Sequence, residues 1–287
     1  MHADQPPLPE VLAAAPDVPV VAMAQALREV PGVVGVLLGG SRARGTHRAD
    51  SDWDLGVYYR GEPDVAALAA LAREFTGEPV EVAAPGGWGP WVNAGAWLRV
   101  DGVAVDWILR DVDRVRRVWQ DCREGRYEVG IQPGHPLGFW SPCYPGEVAL
   151  GHVLADTDGE LAALRAETRV YPEALRRALV EAAWEAEFTV AAAAKSAVKG
   201  DHVHVSLCLS RAFGVLAQAL HAWNRVWCLN EKGAFPAAAV LSGAPAGFAD
   251  EVGVLLGRSG LSAEELSATV ASAARLVHEA RRGLPLP

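Results

Sequence analysis

At 287 residues, 51% of them hydrophobic, the chain can bury one large core or two ordinary ones, and two domains suit its length better. A formal net charge of -9 argues against nucleic acid as a partner, because that affinity comes from clustered Lys and Arg displacing counterions. With no uninterrupted apolar run of roughly 20 residues, and no basic-then-apolar signal at the N-terminus, a cytoplasmic protein without a membrane partner is expected.

The run Val33-Val34-Gly35-Val36-Leu37-Leu38 predicts a strand, and it is followed directly by "GGS" at Gly39, Gly40 and Ser41. Two glycines let the backbone turn sharply, and Ser41 is the expected N-cap of a short helix. Such a turn aims backbone N–H groups at whatever lies above it, a phosphate-shaped environment, although ordinary strand-to-helix connections use the same residues.

A second strand is predicted over Asp52-Trp53-Asp54-Leu55-Gly56-Val57-Tyr58-Tyr59. Its period of two puts Asp52 and Asp54 on one face and Trp53, Leu55, Val57 and Tyr59 on the core face. Two carboxylates one strand pitch apart repel by roughly 2 to 4 kcal/mol at an effective dielectric near 20, which a cation or a proton relieves. Mg²⁺ takes hard oxygen ligands of this type, usually one or two carboxylates together with substrate phosphates. A solvated Asp-x-Asp on an exposed strand is the alternative, and the neighbouring Gly-Gly-Ser turn weighs against it.

In "GAWLRVDGVAVDWILRD", Asp101-Gly102 suits a two-residue type I′ hairpin turn. The register then pairs Val100 with Val103, Leu98 with Val105 and Trp97 with Asp106. Leu98, Val100, Val103, Val105 and Trp107 share the apolar face, while Trp97, Arg99, Ala104 and Asp106 share the other. If the hairpin lies beside the Asp52 strand, Asp106 turns toward the same cleft as Asp52 and Asp54.

Three segments are expected: a first domain over 1–125, an ordered Gly/Pro-rich linker over 126–157, and a helical domain over 158–287. Apolar residues at helical spacing fill the last segment, and Ser262 with Glu265 forms a capping box. The fold class is therefore α+β followed by a helical bundle. Cys122, Cys143, Cys208 and Cys228 are scattered with no CxxC pair, so buried thiols are expected rather than a zinc site or disulfides. Trp88, Trp91, Trp97 and Trp140 lie in or beside loops and the cleft face, where they either floor a sugar or heterocycle pocket or simply pack. Glu147, Glu181, Glu185 and Glu187 either meet a cationic ligand or face water.

"GSRARG", then "SDWDL" with ten residues between Ser41 and Asp52, then a later strand aspartate, resembles the motif of the nucleotidyltransferase superfamily that includes DNA polymerase beta. The likeness is strongest to its antibiotic-modifying (kanamycin- and lincosamide-type) and minimal bacterial members. Residues 33 to about 111 carry it; beyond them the layout alone is similar. It implies a nucleotidyltransferase domain with a small mixed twisted sheet flanked by helices, then a helical bundle.

The resemblance further implies that Gly40 and Ser41 hold a triphosphate and that Asp52 and Asp54 bind one or two Mg²⁺ ions. Asp106 would share a metal and help deprotonate the attacking hydroxyl, giving a catalytic set of Asp52, Asp54 and Asp106. Arg42 and Arg44 stand where such enzymes place cations near phosphate. Apart from the resemblance, Lys232 in "LNEKGAF" interrupts an apolar region after a long helix and could reach the triphosphate from the second domain. Trp53 departs from the usual aliphatic residue between the aspartates, and His47 and Arg48 read as surface residues.

The implied reaction moves a nucleoside monophosphate, AMP if ATP is the nucleoside triphosphate used, to a hydroxyl of a small molecule such as an aminoglycoside-like antibiotic or a sugar. Pyrophosphate leaves. An antitoxin-type adenylyltransferase acting on a partner protein and a catalytically silent nucleotide-binding regulatory module are the alternatives. A homodimer stays open.

Overall fold

The structure is a computed structural model that describes residues 8–13 and 19–285. Its first part comprises α1 (Leu8–Ala13), α2 (Val20–Arg28), β1 (Val33–Leu38), α3 (Gly40–Ala43), β2 (Trp53–Tyr59) and α4 (Val65–Thr76). A hairpin of β3 (Gly95–Val100) and β4 (Val103–Asp111) follows, then α5 (Val112–Arg123). Next come β5 (Val129–Gln132), β6 (His135–Trp140), α6 (Cys143–Leu150) and β7 (His152–Asp156). The remainder is helical: α7 (Glu160–Thr168), α8 (Glu173–Glu181), α9 (Trp184–Ala197), α10 (His202–Trp223), α11 (Ala234–Ala239), α12 (Phe248–Gly257) and α13 (Ala263–Arg282).

Five strands form one sheet in the order β3-β4-β2-β1-β7. β2 and β4 run parallel and every other neighbouring pair is antiparallel, so the sheet is mixed. Parallel neighbours need a long connection, and here it passes through α4 and β3. Asp64 starts α4 by accepting from the Ala67 N–H at 2.9 Å, and Gly77 ends it in the left-handed region. In the hairpin the expected register holds, with Val100 opposite Val103, Leu98 opposite Val105 and Trp97 opposite Asp106. Asp101 and Gly102 have φ of 50 and 84, as a type I′ turn requires.

Strand alternation divides the interior into two cores. Trp53, Leu55, Val57, Leu98, Val105 and Trp107 pack on one face of the sheet with Met23 and Leu27 of α2 and Leu68 of α4. Leu37 and Tyr58 point the other way, into a larger core shared with α6 and the helical half. Both faces are therefore covered, and any cleft on the second face is walled by helices.

Residues 126–157 are more than a linker. β5 and β6 form a separate hairpin, and β7 joins the main sheet by pairing with β1, Leu37 opposite Val153 and Leu38 opposite His152. The Gly and Pro density serves tight turns, such as Gly134 at φ +84 between β5 and β6, while Phe139, Trp140 and Tyr144 are buried. The sheet of the first half thus extends to Asp156.

α10 is the core of the helical half, packed against α8, α9 and α13. By length and composition it could cross a membrane, yet Leu209, Phe213, Leu216 and Leu220 along it are fully buried inside the protein. Ser262 and Glu265 make the capping box at the start of α13. The four cysteines are free, three of them buried.

Candidate active site

The site begins where β1 ends. Gly39 donates its N–H to the Asp54 carbonyl at 2.8 Å, and Gly40, at φ +65, lies so close to Asp54 that a Cβ there would overlap Oδ2. This places the turn directly on the carboxylate. The extended residue before α3 is Gly39 and no side chain caps the helix. Ser41 is therefore inside α3, half-buried, rather than its N-cap; the positive φ of Gly40 closes the turn earlier than a serine cap would.

Asp54 and Asp106 are partners on the parallel strands β2 and β4, so their side chains share the face that looks toward the helical half. Asp52 is exposed just before β2 begins. Burial first, then the charges of Asp52 and Glu147, lifts the Asp54 carboxyl to about 6, against partial relief from Arg44 and Lys232. Burial, with the charges of Asp54 and Asp52, lifts Asp106 to about 7. The charge of Asp52 thus acts on both other carboxylates, and that of Asp54 on Asp106.

Among the described residues no group of three or more His, Cys, Asp or Glu side chains is placed to hold a metal ion by itself. Mg²⁺ does not need one, since it keeps water and phosphate oxygens alongside one or two carboxylates. Hard oxygens crowded until both carboxyls resist ionisation suit such a cation, and Asp54 and Asp106, with Asp52 at the mouth, are the residues that could hold it.

Arg42 and Arg44 part company. The buried guanidinium of Arg42 donates from Nε to the carbonyls of Ser51 at 3.0 Å and Asp52 at 3.1 Å, and it lies 4.4 Å from the Trp53 ring centroid. It fastens the loop that carries Asp52, and does not face the cleft as a phosphate ligand would. This also gives the bulk of Trp53 a purpose, as the floor beneath Arg42. Arg44 donates from Nε to the Gly40 carbonyl at 3.0 Å and lines the cavity beside Asp54. Lys232 is exposed on the segment between α10 and α11, close enough for its charge to act on Asp54. Arg48 is exposed and His47 half-buried.

Below the carboxylates a cavity of about 220 Å³ runs between the sheet and the helical half. Its lining includes Gly39, Gly40, Arg44, Asp54, Arg110 and Glu147, together with His135, Phe139 and Asn230. Arg110 is fully desolvated and forms a two-pronged pair with Glu147, both contacts 2.8 Å. Sequence reasoning missed Arg110, although the alternation Asp106, Ile108, Arg110 already put it on this face. His135 Nδ1 is 3.3 Å from Glu231, whose other oxygen accepts from the Leu137 N–H at 3.0 Å. No local pattern announces that pair, because its members are brought together only by the packing of β6 on the helical half.

Of the four glutamates considered for a cationic ligand, only Glu147 lines this cavity. Glu185 pairs with Arg211, Glu187 with Arg281, and Glu181 is exposed. The tryptophans divide likewise. Trp91 and Trp140 are buried against Phe139 and Tyr127, whereas Trp88 and Trp97 stack on each other with ring centroids 4.2 Å apart.

Residues 22–84 match the family model of the nucleotidyltransferase domain, which holds the Gly39–Gly40 turn, Asp52 and Asp54. Residues 22–84 are accordingly a nucleotidyltransferase domain. Residues 146–232 match a domain of unknown function (DUF4037), which takes in Glu147 and ends at Lys232. No curated protein matches the chain. Among solved structures, a nucleotidyltransferase-like protein from Exiguobacterium sibiricum 255-15 is similar at 14% identity and a TM-score of 0.44, over 91% of this chain and 74% of that one.

Proposed function

We propose that the protein transfers a nucleoside monophosphate from a nucleoside triphosphate, ATP in the first instance, to a hydroxyl of a small molecule. The observation that carries this reading is the contact between the Gly39–Gly40 turn and Asp54 inside the residues that match the nucleotidyltransferase domain, with Asp106 as the strand partner of Asp54. Gly40, Ser41, Arg44 and Lys232 hold the polyphosphate tail. Asp54 and Asp106, with Asp52, hold Mg²⁺, which when bound offsets the negative charge that builds on the transferring phosphoryl group.

The acceptor oxygen attacks the α-phosphorus, a new O–P bond forms, and the bond to the bridging oxygen breaks so that pyrophosphate leaves. The hydroxyl proton passes to the Asp106 carboxylate, the strand partner of Asp54 on the same face of the sheet. Arg44 and Lys232 meet the charge that grows on the departing oxygens.

The cavity beneath Asp54 is the seat for the acceptor. It is walled by both halves of the chain, which favours a small molecule over a tyrosine on a partner protein. The test is mass spectrometry of an acceptor library incubated with ATP and Mg²⁺. The expected outcome is a gain of one nucleotide on one class of hydroxyl compound; no gain on any member and no pyrophosphate release would overturn the reading.

A further inference from the structure

We propose that the exposed indole of Trp97, backed by Trp88, is the seat of the donor's nucleobase. This rests on the transferase reading and extends it to a part of the donor that the phosphate turn and the carboxylates leave without a partner.

Three observations carry it. First, Trp97 lies directly opposite Asp106 on the adjoining antiparallel strand, so its side chain rises from the same face of the sheet beside that carboxylate. Second, the platform is built. The ring of Trp88 occupies the space over Gly95 that any side chain would fill, and it lies within 12° of parallel to Trp97. Trp97 nevertheless remains 67% exposed, so its second face is open. The nearby Arg99 does not cover that face, since it donates to the Gly102 carbonyl at 2.7 Å.

Third, the order of chemistry along the strand ends matches the order of groups in a nucleoside triphosphate. Arg44, at the end of the short helix that follows β1, lines the cavity beside Asp54, and its charge and that of Lys232 act on that carboxylate, suited to the polyphosphate tail. Asp54 and Asp106 follow on β2 and β4, suited to the α-phosphate. Trp97 on β3 comes last, suited to a planar ring. From β2 to β3 is two strand spacings, about 10 Å, a distance a nucleoside monophosphate spans between its phosphorus and its base. An indole that holds a base by its π-face discriminates little among bases, so adenine and guanine donors should bind within a few-fold of each other.

Calorimetric titration of the full-length protein tests this, using α,β-methylene ATP with Mg²⁺ and, as a base-free probe, tripolyphosphate with Mg²⁺. Trp97→Ala should weaken the nucleotide about ten-fold, the scale of one lost base–aromatic stack, and leave tripolyphosphate unchanged; Trp97→Phe should recover most of the loss. Unchanged nucleotide affinity in Trp97→Ala overturns the seat, including the case where the stack serves the acceptor and only transfer falls. Equal weakening of both probes overturns it too, since the effect then lies with the tail. If neither probe binds the unaltered protein, the transferase reading itself fails and takes the base seat with it. Tripolyphosphate binding that persists separates the first two failures from this last one.

Discussion

Gly40 and Asp54 are fitted to each other so closely that one methyl group on the glycine α-carbon would displace the carboxylate. Gly40→Ala should therefore move Asp54 as well as strain a backbone at φ +65, costing about 1 to 3 kcal/mol of stability and most of the transfer activity. Gly61→Ala is the comparison: φ is +76, but nothing stands within 4 Å of the added methyl. It should lose only about 1 kcal/mol and keep its activity. Thermal melts and pyrophosphate release on the two variants measure both effects, and full activity in Gly40→Ala would detach the turn from the site.

The crowding of Asp54 and Asp106 makes stability depend on pH when no metal is present. Their folded carboxyls titrate near 6 and 7, above an unfolded aspartate, so the native state binds more protons than the unfolded chain between about pH 4 and 7. That contribution is complete below the unfolded value and is lost as pH rises through 6 and 7. Melts in a chelator should accordingly show stability falling over this window. Asp54→Asn should flatten the fall, stand about 1 to 2 kcal/mol above the parent at pH 8, and be inactive. A flat profile in the unaltered protein would contradict the proposed crowding.

Arg42 and Arg44 should separate in the same way that their contacts do. Arg42→Ala leaves the carbonyls of Ser51 and Asp52 without their buried donor and should cost about 2 to 3 kcal/mol, with tripolyphosphate affinity largely kept in the folded fraction. Arg44→Ala should melt close to the parent and bind tripolyphosphate about ten-fold more weakly. Denaturant unfolding and calorimetry distinguish the two, and a reversed pattern would return Arg42 to the phosphate.

Glu147→Gln should cost about 3 kcal/mol, because Arg110 would keep its charge in a desolvated setting with its partner removed. Replacing both, as Arg110→Met with Glu147→Leu, should recover much of that loss. Urea unfolding of the single and double variants gives the coupling, and additive costs would show the pair to be incidental.

What could be read in advance followed local periodicity. The hairpin register and the shared face of Asp54 and Asp106 come from an alternation of two acting over a few residues, with an Asp-Gly turn to fix the phase. The two arginines of "RAR" carry no such signal. Which one folds back over Trp53 depends on how α3 meets the loop before β2, which is a tertiary matter. Arg110 was legible from the alternation and overlooked, whereas the pairing of His135 with Glu231 joins residues far apart in the chain and had no local trace. The Gly/Pro-rich stretch misled for a related reason: tight turns and loose linkers draw on the same residues, and only the buried Phe139, Trp140 and Tyr144 distinguish them.

β7 gives this protein an order of assembly. β1, which carries the glycine turn, leaves the ribosome with one edge bare, and that edge is filled only after residues 152–156 have been made. A front piece released at residue 125 would present an unpaired row of N–H and C=O groups to any other chain, an invitation to aggregate. The five-stranded sheet therefore closes only with help from sequence that leads into the helices. A gene split between the two halves would have to reunite its products before either could work.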